Sequence, residues 1–395
     1  MLVQQLMFFS VAMSLWAGMH VYVYRRLSAG FELDSPWRRR VKALLGLSWA
    51  VAPLTFSQLR SSGAPIPDLI QAIGYPLLGI FSLVMGLMLF KDIAWLVLVG
   101  VDKLVARASG GDVLPKDPER RRLFERALNG AALTAAGALG AVGLSQARQA
   151  AEVIRVTLAI PELPEALIGL RIAQVSDIHV GPTIRKERTA EIAQAVNALS
   201  PDLIAVTGDL VDGVVTGIGE HVAPLGEMKA PMGVFFVTGN HEYYSGVDEW
   251  LDFVRTLGWR TLTNEHVTLT KGGATLVVAG TPDRSSSRLK PEHVEDLDAA
   301  LAGAPEAAVR ILLAHQPRTA YKAVERGFDL VLSGHTHGGQ YFPYTLLIHL
   351  AQPFSAGAHL VEGMWLYVNR GTTYWGPPIR LGSPQEITLI ELARA

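Results

Sequence analysis

Apolar residues fill the first third of the chain in four long runs. After about residue 150 they break into short β-branched stretches separated by polar segments. Gln5 to Tyr24 is almost wholly apolar and matches the roughly 20 residues of one helical bilayer crossing. Ala43 to Leu59 is a second run. A third begins near Ile66, continues to Phe90, is interrupted by Lys91 and Asp92, and resumes to Val101. One span does not use all of that length, so Pro76 to Phe90 reads as its core. Ile93 to Val105 then reads as a helical extension lying in the interface. The fourth run, Ala127 to Leu144, is rich in Ala and Gly and carries no charge. It reads as a span or as a buried helix of a soluble domain, which its pattern alone does not separate.

Composition favours the membrane reading. Of 395 residues 49% are hydrophobic and only 18% charged, with a mean hydropathy of +0.26, high for a wholly soluble chain. Orientation follows from Lys and Arg. The first loop holds Arg25, Arg26, Arg38, Arg39, Arg40 and Lys42, and the second only Arg60. The third holds Lys103, Arg107, Lys116, Arg120, Arg121, Arg122 and Arg126. Basic loops stay cytoplasmic. The expectation is a multi-pass inner-membrane protein with its N-terminus and everything after Leu144 outside the cytoplasm. Ionisable residues are sparse at mid-depth, which suits an anchor better than a transport path. His20 and the Lys91–Asp92 pair read as span ends. Arg121-Arg122-Leu123-Phe124 resembles a twin-arginine export signal and equally reads as positive-inside charge.

Two further numbers exclude chemistry. A net charge of -1 without a basic stripe argues against a nucleic-acid partner. The absence of cysteine excludes disulfides, thiolate metal sites and a cysteine nucleophile.

From Val153 onward, short β-branched runs alternate with helical stretches such as Arg188 to Leu199, Asp248 to Leu257, Val294 to Leu301 and Pro317 to Arg326. That alternation predicts a layered α/β domain over 151–395, following a helical anchor over 1–150. Five runs end in polar residues. Leu170 to Val175 leads into Ser176-Asp177-Ile178-His179, and Leu203 to Val206 into Thr207-Gly208-Asp209. Val234 to Val237 leads into Thr238-Gly239-Asn240-His241-Glu242, Val309 to Leu313 into Ala314-His315, and Leu330 to Leu332 into Ser333-Gly334-His335-Thr336-His337. In open α/β sheets ligands bind beyond the carboxyl ends of strands. Asp177, Asp209 and Asn240 offer oxygen there, and His179, His315, His335 and His337 offer imidazole, with His241 beside them. Nitrogen and oxygen donors without sulfur suit divalent first-row metals.

As a set these blocks resemble the calcineurin-like metallophosphoesterase superfamily, whose motifs are D-x-H, G-D-x-x-D, G-N-H-[DE], a lone His after a strand, and G-H-x-H. They stand here as Asp177-Ile178-His179, Gly208-Asp209-Leu210-Val211-Asp212, Gly239-Asn240-His241-Glu242, His315, and Gly334-His335-Thr336-His337. Asn369-Arg370-Gly371 and Trp375-Gly376-Pro377-Pro378-Ile379-Arg380 are similar to a bacterial, membrane-anchored branch. The resemblance implies a two-sheet sandwich flanked by helices and two divalent ions drawn from Mn, Fe, Zn or Co. It assigns Asp177, His179 and His337 to one ion, Asn240, His315 and His335 to the other, and Asp209 to both. His241 is implied to protonate the leaving oxygen, with Asp212 and Glu242 orienting the ligands.

The implied activity is hydrolysis of a phosphomonoester or phosphodiester at the outer membrane face, with a lipid-linked phosphate among the substrates an anchored site suits. Alternatives are a hydrolase of soluble or nucleotide-linked esters, and a metal-binding sensor without catalysis. A transporter with an appended domain is disfavoured by the sparse intramembrane charge. Tyr341 to Leu350, apolar and aromatic, reads as a loop-like stretch that is either core or a membrane-facing rim of the site.

Overall fold

The computed structural model describes residues 2–29, 31–57, 65–109 and 117–395. Leu59, Arg60 and Lys116 lie outside them. Each apolar run forms a helix: α1 (Leu2–Ser28), α2 (Pro36–Ser57), α3 (Pro65–Ser109) and α4 (Pro118–Arg148). Three of these begin on proline, whose fixed φ and missing N–H cost nothing in a first turn. Lys91 and Asp92 do not interrupt α3, which runs unbroken for 45 residues. At about 1.5 Å per residue it is roughly twice as long as the hydrocarbon layer is thick.

Beyond Asp92 the helix exposes Ile93, Leu96, Val97 and Leu104. Among the described residues, Ile66–Ala108 and Glu119–Arg148 are long and apolar enough to cross a membrane.

Met1–Phe56 and Ile73–Gly143 form one compact unit. Several of its polar side chains pair across helices. Asp92 accepts from Tyr22 Oη at 2.6 Å and pairs with Arg26 at 2.7 Å, close to the end of α1. Lys91 donates to Asn129 at 2.7 Å, and Asn129 donates to Arg26 O. His20 stacks on Phe81 with centroids 3.9 Å apart. Arg121 lies over the Trp95 ring.

Ser57–Ala72 and Leu144–Ala395 form the second unit, a mixed α/β fold of two six-stranded sheets. The first has the order β1 (Glu152–Ile160), β12 (Glu386–Arg394), β2 (Arg171–Val175), β3 (Leu203–Thr207), β4 (Val234–Val237), β5 (Arg260–Thr261). The second has the order β10 (Gly357–Val361), β11 (Met364–Val368), β9 (Leu330–Ser333), β8 (Val309–Leu313), β7 (Ala274–Gly280), β6 (Glu265–Lys271). The central strands β2, β3 and β4 pair in parallel, as do β7, β8 and β9. They are near-continuous hydrophobic runs because both of their faces are covered. Edge strands such as β6 and β10 alternate instead.

Leu203, Phe235 and Val237 of the first sheet meet Leu276, Ile311 and Leu332 of the second in a dry layer between the sheets. Helices Lys186–Ala198, Val215–Val222 and Val247–Thr256 cover the outer face of the first sheet. Leu297–Leu301 and Ala320–Val324 cover that of the second. The architecture is therefore helix, sheet, sheet, helix.

The segment at Tyr341 departs from the loop expected there. Tyr341 is buried, but Tyr344–Ala351 is a helix that buries none of its side chains. The core alternative fails for that helix.

Candidate metal centre

Seven of the eight residues singled out at the strand ends come together, and the eighth, Asn240, directly follows Gly239, whose backbone packs on Asp209. Asp177, His179 and His337 place donor atoms within 4.8 Å of one another, and so do Asp209, His315 and His335. His179 Nε2 is 3.1 Å from His337 Nε2, and His337 Nε2 is 3.3 Å from Asp177 Oδ1. In the other group His315 Nε2 lies 3.1 Å from Asp209 Oδ2 and 3.2 Å from His335 Nδ1. Asp209 joins the groups, since its Oδ2 is also 3.9 Å from His179 Nε2. Asn240 opens the helix Asn240–Ser245 directly after Gly239, and its Oδ1 is buried with no hydrogen-bond partner. A buried oxygen without a donor carries a desolvation cost that a cation would relieve. On that observation the residues fit a divalent ion.

Hydrogen bonds fix which ring nitrogens face inward. His315 Nδ1 donates to Thr207 O at 2.8 Å, and His179 Nδ1 to Asp212 Oδ1 at 3.2 Å. Each ring thereby turns Nε2 toward the centre, with the other nitrogen oriented by its partner. The same Asp212 oxygen accepts from His241 Nδ1 at 2.5 Å. The grouping of His179, Asp212 and His241 is thus one carboxylate orienting two rings. Asp212→Ala should weaken divalent-ion affinity by about 10- to 100-fold, the usual effect of losing such a partner. Titration calorimetry with Mn²⁺ checks this, and an unchanged affinity would remove Asp212 from that role.

Glu242, expected to orient the ligands, bonds to backbone rather than to a side chain. Fully buried, it accepts from the backbone N–H groups of Asp209, Leu210 and Gly239 and so ties the β3 turn to the β4 turn. Burial and the Asp209 charge push its carboxyl up to about 7. Burial also raises Asp209, but His315 and His241 outweigh it and hold that carboxyl well below the usual range. Burial lowers His241, yet Asp209 and Asp212 outweigh it and lift its imidazole to about 9. Burial, with Arg380 and His179 adding to it, holds His337 well below the ordinary histidine value. It is uncharged, as a ligand must be.

The turns themselves are strained. Asp177, His179, Asp209, His335 and His337 all have positive φ, between 50° and 72°. Such conformations cost roughly 1–3 kcal/mol each and persist only where their surroundings determine them. Asp177 is held by its neighbours: it accepts from Ser176 Oγ at 2.6 Å and from His335 N at 3.0 Å. Gly239 and Gly334 allow the approach. A Cβ on Gly239 would collide with Asp209 Oδ1, and one on Gly334 with Ser176 Oγ and Asp177 Oδ2.

Sequence reading assigned no role to Arg380 or Trp375, although both lie in the quoted Trp375-to-Arg380 block. Arg380 is fully buried and donates to His337 O at 3.1 Å and Arg370 O at 2.9 Å, with Nη2 3.0 Å from His337 Nδ1. It fastens the C-terminal segment to the His337 loop. The Trp375 ring lies 5.3 Å from that of His241, with Tyr244 at 5.3 Å from the same ring.

The sequence profile of the calcineurin-like phosphoesterases matches residues 170–339, the stretch holding all five blocks. A bovine protein named "Transmembrane protein with metallophosphoesterase domain" is 36% identical over 93% of this chain and 82% of its own length. The chain belongs to the calcineurin-like metallophosphoesterases. A zebrafish protein of the same name is 40% identical over 67% of the metallophosphoesterase described here and 62% of its own length. An uncharacterised metallophosphoesterase of Helicobacter pylori strain J99 is 39% identical over 56% of this chain and 60% of that one. Relatives named as transmembrane proteins are thus vertebrate, a wider range than the bacterial branch alone.

Proposed function

We propose that this chain is a membrane-anchored hydrolase of phosphate esters that works with two divalent ions, with Asp177, His179 and His337 on one side of Asp209 and Asn240, His315 and His335 on the other. The observation that carries this is the meeting of both groups at Asp209, together with the buried Asn240 Oδ1 that has no hydrogen-bond partner. When bound, the ions supply Lewis acidity toward phosphoryl oxygens and lower the pKa of water. Their identity is open among Mn, Fe, Zn and Co, which this donor set accepts.

The chain's own residues handle the proton. Burial opposes the protonated His241 ring but Asp209 and Asp212 favour it, Asp212 takes its Nδ1–H, and its Nε2 lies 3.9 Å from Asp209 Oδ2. Nε2–H is therefore available to donate to the leaving oxygen of an ester seated at the centre, which is general acid catalysis. Trp375 and Tyr244 flank the ring. Asp209 accepts the His241 backbone N–H at 2.8 Å, so the acid and the shared carboxylate are held in one geometry. The substrate is a phosphomonoester or phosphodiester. Metal analysis of the purified chain, together with hydrolysis of aryl monoesters and diesters, tests the reading. A metal-free protein with neither activity would sink it.

Localisation belongs to the same proposal. The Arg and Lys residues of the first and third loops support a cytoplasmic position for those loops and an extracytoplasmic one for the α/β domain. Reporter fusions at the C-terminus should behave as extracytoplasmic, and fusions after Arg107 as cytoplasmic. The opposite pattern would favour nucleotide-linked substrates, which are cytoplasmic.

A further inference from the structure

The helix Tyr344–Ala351 follows closely on His337, yet Leu346, Leu347 and Leu350 are 65%, 48% and 85% exposed. Tyr344 and, on β10, Leu360 are exposed as well. From Gly338 to Val361 there is no Asp, Glu, Lys or Arg, in a chain whose residues are 18% charged. A helix on a watery surface normally turns charge outward. This one turns leucine outward, and a contiguous apolar patch of that kind marks a contact surface. Two of its other side chains are polar. Thr345 and His349, four residues apart and so on one face, line a cavity of about 320 Å³ with Gly338, Ser355, Arg370 and Ser383. The helix therefore sets its leucines apart from a polar cavity lined by hydroxyls and by Arg370, whose Nε pairs with the buried Glu386 carboxylate at 3.1 Å.

What covers the apolar face follows from how α4 ends. Its last residues, Leu144–Arg148, belong to the catalytic unit. The terminal carbonyls a helix leaves unpaired are taken up there: Gln385 Nε2 donates to Gln146 O at 3.2 Å and Ala147 O at 3.0 Å. Ala147 packs with Ile184 and Tyr374 in a small core. The neighbouring Trp375 donates its backbone N–H to Gln340 Oε1, and Gln340 Nε2 donates back to Trp375 O and Pro377 O. Gly339 lies so close to the 344–351 helix that a Cβ on it would meet Thr345 Cα at 2.6 Å. Within the catalytic unit, Leu144–Arg148, the loop carrying His335 and His337, and the exposed helix are thus joined by hydrogen bonds and packing.

We propose that Tyr344–Ala351 lies in the interfacial layer of the bilayer that α4 enters, and that the ester hydrolysed at the metal centre is an amphiphile carrying an acyl or prenyl chain, its headgroup received by the Arg370 cavity. The helix is too short to span and has the leucine-rich face and flanking tyrosine of an interfacial segment. The uncharged stretch from Gly338 to Val361 presents nothing to repel an anionic headgroup or a lipid tail. The substrate class rests on the phosphoesterase reading above, whereas the docking does not.

The native chain has no cysteine, so Leu350→Cys can carry a single environment-sensitive fluorophore in full-length protein reconstituted into nanodiscs. Blue-shifted emission quenched by nitroxide-labelled lipid is expected. Water-like emission without quenching would overturn the docking, and so would a blue shift that grows with protein concentration and resists lipid quenching, since a second copy would then be the occupant.

The triple variant Leu346→Ser, Leu347→Ser, Leu350→Ser, which alters only exposed side chains, separates the substrate class. Hydrolysis of a small soluble aryl ester should be unchanged. Hydrolysis of a lipid-linked phosphate ester in nanodiscs should fall at least roughly tenfold, about what one buried leucine is worth. Equal rates for variant and parent on the lipid ester would overturn the substrate class. If the parent protein hydrolyses neither ester, the phosphoesterase reading fails, while the quenching result still decides the docking.

Discussion

Asp209→Asn should reduce bound divalent metal from about two ions to fewer than one and bring ester hydrolysis to background. Asp209 is where both groups of donors converge: His315 Nε2 lies 3.1 Å from its Oδ2, and His179 Nε2 and His241 Nε2 each lie 3.9 Å away. Its charge is the main force lifting His315 and His241 against the cost of burial. An amide keeps the size, and its oxygen can still accept the His241 N–H now bonded to Oδ1. The substitution therefore removes charge and one acceptor while sparing the packing around β3. Elemental analysis and a diester assay on the same preparation read both effects, and near-native melting would show that the fold persists. Two retained ions with full turnover would show that Asp209 does not bridge.

His241→Ala should slow hydrolysis by roughly 10²- to 10⁴-fold, the range for lost acid–base help, while metal content stays as in the parent. In the structure its Nδ1 is committed to Asp212, and the ring belongs to neither group of three donors at Asp177 or Asp209. A donor to the leaving oxygen matters most when that oxygen leaves as a basic alkoxide. The loss should therefore be smaller for an aryl ester of low leaving-group pKa than for an alkyl ester. Equal losses on both substrates would point to binding or positioning. Loss of an ion would place His241 among the ligands.

The five motif blocks were legible because each is local. An Asp or His two or three residues beyond a β-branched run reads as a strand end from a window of ten residues. Glycines 239 and 334 stand within those blocks, and the structure shows what approaches them: Asp209 at the first, Ser176 and Asp177 at the second. The role of Glu242 was not legible. The resemblance implied only that it orients the ligands, whereas the structure shows that three backbone N–H groups from two different turns take it up. Arg380 escaped for a related reason. Its partner His337 is 43 residues away in the chain, and no periodicity links them.

By itself the sequence determined the order of the parts, namely four apolar helices and then an α/β domain, along with the donor types at each strand end and the absence of sulfur chemistry. Those properties depend on composition and on neighbours along the chain, where strand and helix periods leave their mark. Only the tertiary structure decided that α3 runs through Lys91 and Asp92 unbroken, since Arg26, Tyr22 and Asn129 from other helices take up the two charges. Only the tertiary structure decided that one Asp212 oxygen holds two imidazoles, and that β12, the last strand, lies between β1 and β2. The apolar stretch after Gln340 shows the division most plainly. Its composition suited burial and exposure equally, and which one it met depended on whether residues distant in sequence came to cover it. Tyr341 found cover, while Leu346, Leu347 and Leu350 did not.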